Sequence, residues 1–204
     1  MNWIHRWLCR SPQWRNRLQE RMPWALDGID LGPQVLEVGP GPGLTTDLLR
    51  SRIARLTVLE IDSALANSLA ARLLGSNVTV VCGDATSMPF ADAQFSAAVS
   101  FTMLHHLPSP RLQDKLLGEV LRVLAPGGVF VGVDSRQSLR MRLIHVCDTL
   151  VPVDPNSFNA RLEAAGFRDV LIESNKQAFR FRARRATQPS THPVDHAWPG
   201  APLR

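Results

Sequence analysis

A chain of 204 residues with 45% apolar and 20% charged side chains has the size and balance of one folded domain with its own core. No stretch reaches the ~20 apolar residues of a membrane span, and Arg6 and Arg10 interrupt the apolar N-terminus before a signal-peptide core develops, which points to the cytoplasm. The net charge is +5, but +4 lies within residues 1–24 and +5 within 176–185, so the remainder is slightly acidic; the two patches suit an anionic substrate, a membrane surface or nucleic acid, or are simply solvated faces.

Residues 1–26 read as one or two amphipathic helices. Trp3, Ile4, Trp7 and Leu8 share one side, and Ser11-Pro12 restarts the pattern with Trp14, Leu18 and Met22 in a stripe. From Gln34 strands and helices alternate: strand Val35–Val38, helix Leu44–Arg52, strand Leu56–Glu60, helix Ser63–Leu74 and strand Val78–Cys82. A fourth strand is expected at Ala97–Ser100, a helix at Arg111–Leu124 ended by Pro126-Gly127-Gly128, and a fifth strand at Val129–Asp134. This alternation predicts a parallel sheet with right-handed crossovers. Two helices follow, Leu139–Leu150 and Asn156–Ala165, and then an antiparallel pair, Val170–Glu173 and Ala178–Ala183. In the last of these, Phe179, Phe181 and Ala183 alternate with Arg180, Arg182 and Arg184, the period of a half-buried strand. Beyond Ala186 the composition turns to Pro, Thr, His and Gly, expected to be disordered.

Chemistry concentrates at strand ends. After Val35-Leu36-Glu37-Val38 come Gly39-Pro40-Gly41-Pro42-Gly43, alternate glycines that let a backbone turn sharply and let a ligand approach its N–H groups. A dinucleotide fingerprint wants its third glycine one place later, where this chain has Leu44, and no Gly-Lys-Ser/Thr follows to make a phosphate loop. Glu60 closes the next strand, placed to accept bonds from vicinal ribose hydroxyls, or to be an ordinary solvent-facing acid. Asp84, after Cys82-Gly83, suits an adenine amine or a plain turn. Cys9, Cys82 and Cys147 are odd in number and lack CxxC spacing, so neither a disulfide framework nor a zinc site is expected. His145, Cys147 and Asp148 point in different directions on a helix, and no metal is expected there either.

Taken together, the run Glu37 to Gly43, Glu60 and Asp84 resemble the class I S-adenosylmethionine-dependent methyltransferases, as do Phe101-Thr102-Met103-Leu104-His105-His106-Leu107 and Leu121-Arg122-Val123-Leu124-Ala125-Pro126-Gly127-Gly128. The resemblance covers about Val35 to Arg185. It implies a Rossmann-like α/β fold, a seven-stranded, mostly parallel sheet with an antiparallel last strand and helices on both faces. Residues 1–30 would be capping helices, 31–185 the methyltransferase domain and 186–204 a disordered tail. The cofactor implied is S-adenosyl-L-methionine. Gly39, Pro40, Gly41 and Gly43 would form the turn beneath its methionine and ribose portions, with Glu37 near the amino-acid end. Glu60 would hold the ribose, Ile61 would lie against adenine, Asp84 and Ala85 would address the adenine edge, and Ser100 would offer its backbone carbonyl to the methionyl amine. Ser96 departs from the family, which often has Asp there, and puts the local polarity of the sheet in question.

A sulfonium methyl is already activated, so transfer rests mainly on proximity and alignment, and a base is needed only where the acceptor must lose a proton. His105 and His106, just after the fourth strand, are the candidates for that base, against a reading in which they merely pack the loop. The acceptor pocket is expected among the N-terminal helices, the loop Thr102–Pro108 and Ser135–Pro155. Trp3, Trp7, Trp14 and Trp24 either line it or dock the helices on the sheet. The chain lacks the Asn/Asp-Pro-Pro-aromatic and Pro-Cys motifs of relatives that methylate nucleic acids. A small-molecule acceptor, apolar or lipid-like, is therefore expected, with peripheral membrane contact through helix 1–10 as a further option. Two other readings stand: a cofactor-binding protein without methyl transfer, and an RNA or protein methyltransferase using the Arg180–Arg185 strand.

Overall fold

The computed structural model describes residues 11–144 and 148–187. The expectations for helix 1–10, for Cys9, His145 and Cys147, and for the tail from 188 onward lie outside these residues. Helix α1 spans Pro12–Leu26; Ser11 caps it, its Oγ accepting from Trp14 N at 3.2 Å, and Pro12 falls where a missing N–H costs nothing. Leu18, Met22 and Ala25, at 4% exposed or less, dock it on the sheet. Half-buried Trp24 joins the same face.

The sheet is built from β1 (Gln34–Val38), β2 (Arg55–Glu60), β3 (Val78–Cys82), β4 (Phe95–Phe101), β5 (Leu124–Ser135), β6 (Phe167–Ser174) and β7 (Ala178–Arg185). Their spatial order is β3-β2-β1-β4-β5-β7-β6, with β1 to β5 parallel and β7 antiparallel to both neighbours. This is the Rossmann-like sheet expected. The order reverses between β1 and β4, and in open α/β sheets the crevice beyond such a reversal is where ligands bind.

Period-two alternation divides the core. On one face Val35, Val58, Ala97, Val99 and Val131 meet α1 and α2 (Leu44–Leu49). On the other Leu36, Val38, Ala98, Phe130, Phe179 and Phe181 meet α4 (Pro110–Val123) and α6 (Pro155–Ala165). Helix α3 (Ser63–Arg72) precedes β3, and α5 (Leu139–Ile144) follows β5. In α4, Gln113, Leu116, Leu117, Val120 and Val123 are buried at spacings of three and four, one face of a 3.6-residue helix. Ser109 caps its start, accepting from Leu112 N at 3.2 Å.

Several boundaries differ from expectation by two residues or more, three of them notably. Helix α2 stops at Leu49 rather than Arg52, because Ile53 turns inward and the chain must straighten into β2 at Arg55. Among the described residues α5 ends at Ile144, and Thr149 and Leu150 are not helical. Strand β5 begins at Leu124 and takes in Pro126-Gly127-Gly128. There Phe95 and Ala97 of β4 face Leu124 and Val129, so the proline and glycines form a bulge rather than a stop. Ser96 sits opposite that bulge. Its Oγ lies 2.8 Å from Leu31 O and accepts from Gln34 N at 3.0 Å, tying β4 to the segment that enters β1.

Candidate active site

The C-terminal ends of β1, β2, β3 and β4 bring the candidate residues to one edge of the sheet. Gly39 donates to Leu59 O at 2.9 Å and takes φ +68°, and an added Cβ there would stand 2.2 Å from Met103 Cγ. Met103 thus lies directly over the first glycine, and only a residue without a side chain leaves it room. Gly41, at φ +55°, would have nothing within 4 Å of an added Cβ, so the turn opens outward there.

Glu60, 6% exposed, fixes the turn from the neighbouring strand. Its Oε2 accepts from Gly41 N and its Oε1 from Asp62 N, each at 2.9 Å. One N–H on each oxygen leaves each a second lone pair for a donor in the crevice. Ile61, beside it, is 70% exposed, an apolar surface at the crevice edge. Asp62 caps α3, its Oδ1 accepting from Ala64 N and Leu65 N. Asp84 is exposed and its Oδ1 accepts from Thr86 N at 2.7 Å, so it makes the turn; Ala85 packs on the core behind it. Arg122 holds this connection in place, donating to Met88 O and Phe90 O and pairing with Asp92 and Glu119. These bonds hold the Glu119 carboxyl below its usual range and push the Arg122 guanidinium up.

Glu37 lies inside the core at the end of β1. It is 1% exposed, and both oxygens turn to the first turn of α2: Oε1 accepts from Thr45 Oγ1, Oε2 from Thr46 Oγ1 at 2.6 Å. Burial pushes its carboxyl up to about 7; the two threonine bonds oppose that, while Asp47 and Glu60 add to it. Ser100 is buried, with its carbonyl oxygen against Gly132 of β5, only 2.2 Å from where a Cβ would stand. Its hydroxyl has no hydrogen-bond partner among the described residues.

After β4 the chain turns at Thr102, whose φ of +54° is strained for a β-branched residue. A short 3₁₀ turn, Leu104–His106, follows. His105 is buried, its Nδ1 2.5 Å from Asp134 Oδ1, while its backbone N–H donates to Asp134 Oδ2 at 3.2 Å. His106 is half-buried and its ring lies 4.3 Å from that of His105. The two histidines therefore part company, His105 anchoring the turn to β5 and His106 stacking on it. Gln113 completes the anchorage, donating to Leu104 O and Val151 O. Met103, Thr45, Thr46, Asp134 and Gln113 went unremarked in the sequence as site residues. Only the acid in an otherwise apolar strand, Glu37, hinted that it needed partners.

Trp24 docks α1 on the sheet, with the Arg180 guanidinium 5.4 Å from its ring centre. Cys82 is a free, exposed thiol. Among the described residues no group of three or more His, Cys, Asp or Glu is placed to hold a metal, and no helix is long and apolar enough to cross a membrane.

Residues 36–132 match the family described as "Methyltransferase domain". A 24-methylenesterol C-methyltransferase 2 of Oryza sativa subsp. japonica is 39% identical, over 61% of this chain and 35% of its own length. A fatty-acid O-methyltransferase of Mycolicibacterium smegmatis is 37% identical, over 52% of this chain and 38% of its own. A ribosomal RNA small subunit methyltransferase A of Deinococcus radiodurans is 47% identical, over 57% and 38%. The chain thus spans well under half the length of these relatives. Among solved structures, a protein of Pyrococcus horikoshii OT3 superposes with a TM-score of 0.72 at 16% identity, over 87% of this chain and 93% of that one, a likeness of fold.

Proposed function

We propose that this chain, whose residues 36–132 match the methyltransferase-domain family, is a class I S-adenosylmethionine-dependent methyltransferase that transfers a methyl group from that cofactor to a small, apolar or lipid-like acceptor. The observation that carries the reading is Glu60, whose two oxygens are fixed by Gly41 N–H and Asp62 N–H beside the exposed Ile61. The residues present fit an adenosyl group: an outward-opening turn, a carboxylate with spare lone pairs, an apolar wall and an unpartnered hydroxyl at the end of β4. S-adenosylmethionine bound there supplies a methyl group already activated on a sulfonium, for in-line displacement by the acceptor's nucleophilic atom.

The chain's own residues do the positioning. Glu60 would take the ribose hydroxyls, Ile61 and Ala85 would bracket adenine, and Asp84 would accept from its amine. Gly39, Pro40, Gly41 and Gly43 would set the distance to the backbone. Ser100 would donate its hydroxyl toward the methionyl end. Where the acceptor must lose a proton, His106 is the base, and His105 holds it in place through Asp134. The sterol and fatty-acid activities of the relatives support an apolar acceptor. The Arg180–Arg185 strand gives little support to a nucleic-acid acceptor, because Arg180, Arg184 and Arg185 bond to backbone carbonyls of this chain.

Calorimetry with S-adenosylhomocysteine tests the cofactor half. Glu60→Ala and Asp84→Ala should each weaken binding by roughly 1–3 kcal/mol, and unchanged affinity in both would remove the assignment. Labelled-methyl transfer against sterols, fatty acids, quinones and RNA tests the acceptor half; label recovered only in RNA would overturn it.

A further inference from the structure

A carboxyl group in the middle of a core is costly unless something holds it. Glu37 is flanked in β1 by Leu36 and Val38, both at 1% exposed or less, and faces Val58 of β2 and Val99 of β4 across the sheet. Its only hydrogen-bond partners among the described residues are the hydroxyls of Thr45 and Thr46. These threonines open α2 directly after the glycine turn, and the helix has no side-chain cap at Gly43. A single carboxyl therefore spans the turn from the strand before it to the helix after it. The charged groups that act on it are Asp47 of α2 and Glu60 of β2; Asp47 is itself paired with Arg50 and with Arg72 of α3, which also reaches Pro42 O, so the cations nearby are already engaged with that carboxylate and the turn.

We propose that Glu37 is the positioning residue of the glycine turn, acting through Thr45 and Thr46, and that loading of the cationic adenosyl donor draws a proton out of this cluster. The inference rests on the cofactor reading above. The physical reason is linkage: a cation entering beside Glu37 and Glu60 favours the ionised form of the buried acid, so a group that is partly protonated beforehand must release its proton. Burial holds this carboxyl near neutrality in the unloaded protein, at about 7. Below that pH loading costs a deprotonation and is weakened by up to ~10-fold per unit; above it the penalty vanishes. S-adenosylhomocysteine, a neutral thioether at the same position, should draw the proton less.

Titration calorimetry of the full chain, without acceptor, reads this directly. S-adenosylmethionine and S-adenosylhomocysteine are each titrated at pH 6, 7 and 8, in buffers of small and large ionisation enthalpy. The expected result is S-adenosylmethionine binding that tightens about 3–10-fold from pH 6 to pH 8, with a buffer-dependent heat at pH 7 and a smaller response to the homocysteine compound. Glu37→Gln should lose both effects while still binding. Binding that is indifferent to pH and buffer overturns the inference, as does linkage that persists in Glu37→Gln. Failure of both ligands to bind at any pH overturns the cofactor reading along with it, a distinct outcome. Should Glu37→Gln not fold, carboxyl-labelled wild-type protein decides: the Glu37 carbon should move toward its ionised shift when S-adenosylmethionine is added at pH 6.5, and a stationary signal overturns the proposal.

Discussion

Glu37 carries a signature even in the unloaded protein. Its carboxyl titrates at about 7 in the folded chain against an ordinary 4.5, so between those values the folded state binds more protons than the unfolded one. Stability must then fall as pH rises from about 4.5 to about 7 and level off above, by on the order of 3 kcal/mol in all. Urea melts of wild type and Glu37→Gln at pH 5 and pH 8 check this: the wild type should lose stability across the interval through this group and the variant should not. Identical pH dependence in both would contradict it. At this scale the sequence was a good guide to acids at strand ends. Glu60 closes β2 and Asp84 follows β3, as the strand pattern predicts. It was a poor guide to partners. That Glu37 spends both oxygens on threonines, or that His105 meets Asp134 across 29 residues, depends on which strands are neighbours, and no local spacing encodes that.

Among elements, strands and helices were legible because apolar periods of two and 3.6 are written along the chain. Their ends were less so. Pro126-Gly127-Gly128 reads locally as a break, yet β4 supplies a partner on either side of it and the strand absorbs the three residues as a bulge. The connection from β3 to β4 is a second case. It has little regular structure of its own, and Arg122 of α4 holds it by the carbonyls of Met88 and Phe90 and the carboxylate of Asp92, while Glu119 of the same helix accepts from Met88 N. Arg122→Ala should destabilise the fold by about 1–3 kcal/mol and loosen the segment that carries Asp84. Faster amide exchange at residues 84–92, with α6 unaffected, is the measurement. Exchange unchanged in that segment would mean the clamp is ornamental.

For the whole molecule, the parallel pairing of β1 to β5 follows from alternating strands and helices with right-handed crossovers, whereas their order β3-β2-β1-β4-β5 is seen only in the fold. The arginine-rich end of the chain was harder to read from composition, since five cations in ten residues suit a nucleic-acid surface as well as a structural strand. In the fold, Arg185 reaches the carbonyls of Leu121, Arg122 and Leu124 at the end of α4, and Arg184 reaches Gly127 O. A cation there also meets the negative end of the helix dipole. Arg185→Ala should therefore lower the melting temperature and leave retention on heparin as it was. Lost retention with an unchanged melt would restore the nucleic-acid reading.

The insertion of β7 between β5 and β6 has a consequence for synthesis. Strand β5 is twelve residues long, and its outer side is closed only by residues 178–185. A chain folded through β5 but not yet through β7 exposes residues 129–135 as open backbone, the kind of template on which other chains pair. Translation of the last stretch thus governs how long each new molecule stays vulnerable to aggregation.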